Sequence, residues 1–555
     1  MTTNNIQSFS QSEDFVRKYK IALKLNMTRE QLSTLIQMKT DSIRRKLGKL
    51  RDYVGMDLPM LRSSDDEISE EKLKKFNAEY ARSIGKADGV NKVGTRYVIT
   101  SAQNATPVHH GFLQSILTYC KHNNAELIVI PYRYRNPTSV WAQNNDNDDW
   151  WSPAVAGYLV ESEIKLCDNL VVLANVKVQP TASEPISGFE AYTGTNSTII
   201  GHPKVQLKSV ATLNGNPKIV LSTGAITQDN YSDSKAGWKG KFHHSLAAAI
   251  VEVDDNGTFH VRHIHATGVS GNFYDLDKCY TSIDVTTGHR AAALITGDTH
   301  AEFIDETVEN VTYHNADSIA TVLNPELIIF HDLCDFYSRN HHHRGNDIIA
   351  VGKHRYGRNN VQDELQGVAD FLDRVSRPGT KNIVAKSNHD EAFDRYLKEA
   401  DSKGDYENAQ FYYYMKYHQM KNLAMTETGF STIDPLEFWC KNPENGIGLR
   451  NIVDTVFLKR DEPFKVKNIE VGFHGDVGIN GSRGDIKSLS RLSNKMIIGH
   501  SHSPGIYDGC YQVGLSSSKN LEYKKGPSSW MHTHAVIYPD GKRTLINIVN
   551  GSWKA

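Results

Sequence analysis

At 555 residues the chain is too long for one hydrophobic core, and roughly two to four domains are expected. With 39% hydrophobic and 23% charged residues it reads as a soluble globular protein, and a net charge of -1 excludes a globally basic nucleic-acid binder. Six cysteines without a C-x-x-C pair exclude a zinc ribbon and a disulfide scaffold, and no apolar run approaches the ~18 residues that cross a bilayer. The opening residues show no basic stretch followed by an apolar one, so no secretory signal is expected. A soluble protein of a reducing cytoplasm fits these bounds.

Residues 1–60 are expected to form a helical domain. Thr28-Arg-Glu-Gln31 is a capping box opening a short helix with Leu32, Leu35 and Ile36 on one face. A second helix from Thr40 carries Ile43, Leu47 and Leu50 as its apolar stripe. Arg44, Arg45, Lys46 and Lys49 lie on its other faces, so the pair resembles a helix-turn-helix with cations placed for DNA phosphates. A small bundle for self-association, its basic face solvated, is the alternative.

The charged stretch 61–91 reads as a linker. Residues 92–288 are expected to form an α/β accessory domain. Its strands are predicted at 96–100, 127–131, 169–174, 218–222, 247–253 and 258–265, with a helix over 111–121 and a turn at Asp254-Asp-Asn-Gly257. The acidic run Asn144 to Trp151 lacks EF-hand spacing and reads as a solvated loop.

From residue 289 onward, short apolar runs repeatedly end in metal-competent side chains. Ala292 to Ile295 leads to Asp298 and His300, and residues 325–331 lead to Asp332. Residues 381–385 lead to Asn388, His389 and Asp390, residues 470–473 to His474, and residues 495–498 to His500 and His502. In α/β sheets the carboxyl edge of the strands is where sites assemble. The following Arg339-Asn-His-His-His-Arg344 cannot bind one ion through all three histidines, because adjacent side chains diverge. It reads as a substrate-facing loop, with Arg339, His342 and Arg344 near phosphate. Phe411-Tyr-Tyr-Tyr414, in a helical insertion, reads as core.

This ordered set, D-x-H, D, N-H-D, H and G-H-x-H, resembles the calcineurin-like metallophosphoesterases over residues 289–555. The sequence departs from them at His331 and Ser387, where that family has glycines. The fold class implied is α/β (α+β): a carboxyl-terminal metallophosphoesterase β-sandwich flanked by helices, after the accessory and helical domains. The resemblance implies two divalent ions, Mn²⁺ being the choice for a mixed oxygen and imidazole set. Asp298, His300, Asp332 and His502 would hold one ion, and Asp332, Asn388, His474 and His500 the other. His389 would protonate the leaving group, with Asp335 and Asp390 orienting neighbouring histidines.

Mre11-type nucleases share the motif order, and the layout resembles that of phage proteins that degrade host DNA. A two-metal DNA nuclease is therefore expected, with DNA as partner and self-association as in related nucleases. A phosphomonoesterase or phosphoprotein phosphatase is the rival enzyme. A DNA-binding regulator with a vestigial phosphoesterase domain is the rival outside enzymes.

Overall fold

Alternation along the strands decides how the carboxyl-terminal half is layered. In the computed structural model, six strands form one sheet in the order Val456–Phe457, Lys381–Ala385, Leu327–His331, Ala293–Ile295, Thr533–Ile537 and Arg543–Asn547. The first four run parallel, and each of the last two is added antiparallel to the strand before it. Residues two apart share a face. Leu294, Ile328, Val384 and Val536 thus pack against the helices Val361–Val375 and Asp390–Glu399, while Ala293, Ile295, Ile329 and Ile383 enter a second cluster on the opposite face. Burial on both faces is why these strands read as continuous apolar runs.

The second cluster is closed by a ten-stranded sheet. One half comes from residues 465–512 and the other from residues 163–222. They meet where Gly505–Tyr507 pairs antiparallel with Leu207–Val210, Ile506 standing opposite Leu207. A continuous hydrogen-bonded sheet and a shared core therefore run across the expected boundary at 288/289.

A four-stranded sheet, in the order Ala125–Tyr132, Arg96–Gln103, Ala247–Val253 and Phe259–His265, completes the middle region. All six strands predicted there are present, and the predicted helix is His110–Asn123. The turn at 254–257 forms because the Asp254 carboxylate accepts from the amides of Asn256 and Thr258, with Gly257 at a φ of 78°. Beside it, the buried Arg262 guanidinium donates to Glu252 at 3.0 and 3.1 Å and to Asp275 at 2.5 and 2.9 Å. Burial pushes the Glu252 carboxyl up, but the adjacent Arg262 outweighs it and holds the group at about 2.

The amino-terminal helices are Phe9–Lys24, Arg29–Leu35 and Thr40–Val54, packed around Phe15, Tyr19, Leu32, Ile43 and Leu47. The capping box is present: the Thr28 hydroxyl accepts from Gln31 N and the Gln31 side chain from Thr28 N. Phe9–Lys24 stands in addition to the two helices expected from Thr28 and Thr40. The described part of the charged stretch packs back onto them. Leu61 and Phe76 are buried in the same cluster, and Ser63 Oγ and Ser64 N donate to Glu30.

The structure describes residues 9–555 except 37, 55–57, 65–66, 70, 73–74, 77–95, 135–150, 214–216, 401, 427–428, 443–451, 453 and 493. The acidic run 144–150 lies outside the described residues; Trp151 is buried, its indole N–H donating to Ala102 O at 3.1 Å. The whole is a mixed α+β fold. All six cysteines are free, and no described helix is long and apolar enough to cross a membrane.

Candidate metal centre

The strand ends converge. Asp298 follows Ala293–Ile295, Asp332 follows Leu327–His331, and Asn388 and His389 follow Lys381–Ala385. His474 follows Ile469–Glu470, while His500 and His502 follow Lys495–Ile498. Two glycines let the loops close. A Cβ on Gly499 would stand 2.1 Å from Asp298 Oδ1, and one on Gly297 would stand 2.6 Å from the Leu515 backbone. His300, Asp332, His500 and His502 all take left-handed backbone, with φ of 44°, 45°, 75° and 58°. Each such residue costs on the order of 1–3 kcal/mol, strain that the surrounding structure must hold.

Asp332 stands at the middle. Its Oδ2 lies 3.2 Å from His474 Nε2 and 3.5 Å from His300 Nε2. His502 Nε2 lies 3.3 Å from Asp298 Oδ2 and 3.2 Å from His300 Nε2. Among the described residues three donor triads result; Asp332 belongs to two of them, His300–Asp332–His502 and Asp298–Asp332–His474, and the third is His300–Asp335–His389. Asp298, His300, Asp332, His474 and His502 are buried, yet among the described residues both Asp298 oxygens, Asp332 Oδ1 and the Nδ1 atoms of His474 and His502 have no hydrogen-bond partner, nor has Oδ1 of the half-buried Asn388. Such orphaned groups are costly in an interior unless a cation meets them. Mixed carboxylate, amide and imidazole donors fit Mn²⁺, Fe or Zn.

The electrostatics agree with a place for cations. Burial, and then the charge of Asp332, raises Asp298 to about 7. Burial alone would pull His300 and His474 down, but the carboxylates around them raise each to about 9. Burial also opposes the charge on Asp332, and the nearby His474 and His389 hold it well below the usual carboxylate range. Burial, then the neighbouring imidazole, lowers His500 to about 4 and His502 well below its ordinary value.

Around this core, Asp335 Oδ1 lies 2.9 Å from His300 Nδ1 and 3.4 Å from His389 Nδ1, so it orients both rings. The Asp335 carbonyl also meets His389 Nδ1 at 3.1 Å. Asp390 takes a different part from the one expected. It accepts from Cys334 N at 2.9 Å, Ser387 N at 3.0 Å and Ser387 Oγ at 2.9 Å, and so fixes the loops carrying Asp332 and Asn388 rather than a histidine. It opens the helix Asp390–Glu399, where a carboxylate is drawn to free amides. Ser387, at the family's glycine position, reciprocates by accepting from Asp390 N. His331 is fully buried with its ring 5.7 Å from that of His474 and neither nitrogen partnered. The half-buried His389 ring stands 4.9 Å from that of His300.

His389, His500 and His502 border an opening of about 770 Å³, which Asp485 and Ser501 also line, together with Arg483, Gln512, Tyr523 and Trp530. Tyr523 OH lies 3.4 Å from His300 Nε2, and the Trp530 ring 4.5 Å from that of His502. Sequence reasoning missed these four. They lie in or next to irregular segments, and only the closeness of 523 and 530 to the G-H-x-H motif could have drawn attention to them.

Arg339, His342 and Arg344 do not line this opening. Arg339 is held by Asp405 in a bidentate pair at 2.6 and 2.7 Å, Arg344 lies 3.4 Å from Glu399, and the exposed His342 packs on His341 at 3.9 Å. Carboxylates far along the chain take the cations expected to face phosphate. On the helix Thr40–Val54, Arg44, Arg45 and Lys49 are exposed, while the Lys46 ammonium sits 5.2 Å above the Phe15 ring. Phe411 is buried, as expected, but Tyr413 of the same helix is exposed.

Fold and centre define a mixed α+β protein with a buried carboxylate and imidazole cluster suited to divalent metal. The chain is 35% identical over 481 residues to Protein A1 of Escherichia phage T5, a match covering 84% of each chain. It belongs to the family of that phage protein. No protein-family model and no solved structure matches it.

Proposed function

We propose that the chain is a two-metal phosphodiesterase acting on DNA, phage-encoded and working in the host cytoplasm to degrade host DNA. The observation that carries this is Asp332, the carboxylate common to two donor triads. A shared carboxylate offsets the repulsion between two cations at close range. Asp298, His300, Asp332 and His502 would hold one ion, and Asp332, Asn388, His474 and His500 the other. Two ions so held, Mn²⁺ by preference, would supply positive charge against the phosphoryl oxygens and hydroxide near neutral pH.

The chain's own groups do the rest. Asp335 fixes the rings of His300 and His389 through their Nδ1 atoms, leaving His389 Nε2 free to face the opening. His389 would deliver a proton from Nε2 to the departing alkoxide. Tyr523 and Trp530 line one side of the opening and would offer faces for a base. The relationship to a T5 protein suits a phage role, and the domain layout resembles the tequintavirus first-step-transfer protein.

The test is incubation with supercoiled plasmid and linear duplex in Mn²⁺, Mg²⁺ or EDTA, beside Asp332→Ala. Metal-dependent loss of DNA, absent in the variant, is expected. Intact DNA together with hydrolysis of a small phosphate monoester would move the activity to a phosphatase.

A further inference from the structure

The helix Lys235–His243, Lys-Ala-Gly-Trp-Lys-Gly-Lys-Phe-His, is inside out by the ordinary rule for surface helices. Its glycines face inward: a Cβ on Gly237 would meet Ser232 O at 1.9 Å, and one on Gly240 the Tyr231 ring at 2.8 Å. Its aromatics face outward, one turn apart, with Trp238 62% and Phe242 82% exposed. Lys235, Lys239 and Lys241 are exposed beside them.

The same helix ends at a cavity of about 240 Å³ bordered by Phe242, and this cavity is cationic. Lys495, Lys542 and Arg543 line it with Lys204, His243 and His265. Its one carboxylate, Asp508, is already engaged by Lys204, and His243 Nδ1 lies 3.4 Å from it. Arg543 is buried, donates to the carbonyls of Met496 and Gly509, both at 2.9 Å, and lies 4.1 Å over the Tyr511 ring, with no carboxylate partner among the described residues. Burial, then the charges of Arg543 and Lys542, lowers the Lys495 ammonium. The cavity thus gathers positive charge beyond what its own acid offsets.

We propose that the Trp238/Phe242 face and the cationic cavity beside it form a binding site for single-stranded nucleic acid, with bases stacked on the aromatics and a phosphate in the cavity. Stacking on exposed rings beside a cationic groove is how strands are held without sequence preference. A lipid surface would use the helix but would leave the buried Arg543 at the cavity unmatched. Lys495 begins the strand that leads to His500 five residues later, roughly 16 Å along extended backbone. The site is therefore separate from the metal centre, and one strand could reach both. Its role in substrate capture rests on the reading of DNA as substrate.

The test is fluorescence anisotropy of labelled oligothymidylate with the full chain in EDTA, which prevents cleavage. Two exposed-site double variants are compared, Trp238→Ala with Phe242→Ala and Lys495→Ala with Lys542→Ala. Each is expected to weaken binding by about tenfold or more. Unchanged binding in both variants would overturn the site, as would binding of anionic phospholipid vesicles or thymidine monophosphate without the oligomer. The reading of the metal centre is scored separately by hydrolysis of a small chromogenic diester, which both variants are expected to retain. Loss of oligomer binding in the variants, with no diester hydrolysis by any form, would keep the site and remove the nuclease.

Discussion

Two buried clusters of charge in this chain follow opposite rules. Around Arg262 every charged atom is met: the guanidinium is shared between Glu252 and Asp275, and no side-chain atom of the three lacks a partner. Around Asp332 the contacts are incomplete: both Asp298 oxygens, Asp332 Oδ1 and the Nδ1 atoms of His474 and His502 have no hydrogen-bond partner among the described residues, and four residues of the cluster take left-handed backbone. A closed cluster is complete as folded and serves the fold. An open one offers unmet donors that a cation could satisfy, which is what marks it as a candidate site.

The sharpest way to break the contrast is Asp332→Ala. Metal-dependent turnover should fall to background, and Mn²⁺ should no longer raise Tm. In the parent chain, free Mn²⁺ at about a hundredfold above Kd should add roughly 2.7 kcal/mol of stability. A parent Tm indifferent to Mn²⁺ and EDTA would sink the open-cluster reading. Asp275→Ala should do the opposite, costing roughly 3–5 kcal/mol in urea unfolding by leaving buried charge unmatched. Turnover per folded molecule should stay unchanged.

Between these lies Asp335→Asn, which loosens the rings of His300 and His389 without emptying the centre. A fall of about 10–100-fold in metal affinity or turnover is expected, read by metal titration and kinetics. The smallest effect is a slope. The Glu252 carboxyl is held at about 2 against an ordinary 4.5, so its stabilisation is complete above 4.5 and is lost as pH falls toward 2. Glu252→Gln should flatten acid unfolding across that window, and an unaltered slope would assign it to other groups.

The residues gathered in the candidate centre were legible because strand ends announce themselves locally: an apolar run, a break, then a carboxylate or imidazole. The capping box at Thr28 and the turn at Asp254 were legible for the same reason. What was hidden depends on partners far along the chain. Nothing near Arg339 reveals that Asp405 claims it, and nothing near Ile506 reveals that it pairs with Leu207. Asp390 was misassigned because proximity to histidines in sequence does not show which way a carboxylate at a helix start will turn. The face of Lys235–His243 was overlooked because apolar residues one turn apart ordinarily predict burial, and only the tight packing of Gly237 and Gly240 reverses it.

The pairing of Gly505–Tyr507 with Leu207–Val210 also bears on how such a chain can change over generations. The segment from 289 onward is not a cassette that recombination could move alone. Cut free, it would carry a bare strand edge open to pairing with other molecules, and its core would lose Leu207, Leu221 and Ile199. Exchange with a relative would have to bring both sides of the seam together, so the middle region and the region carrying the candidate centre are expected to move as one unit.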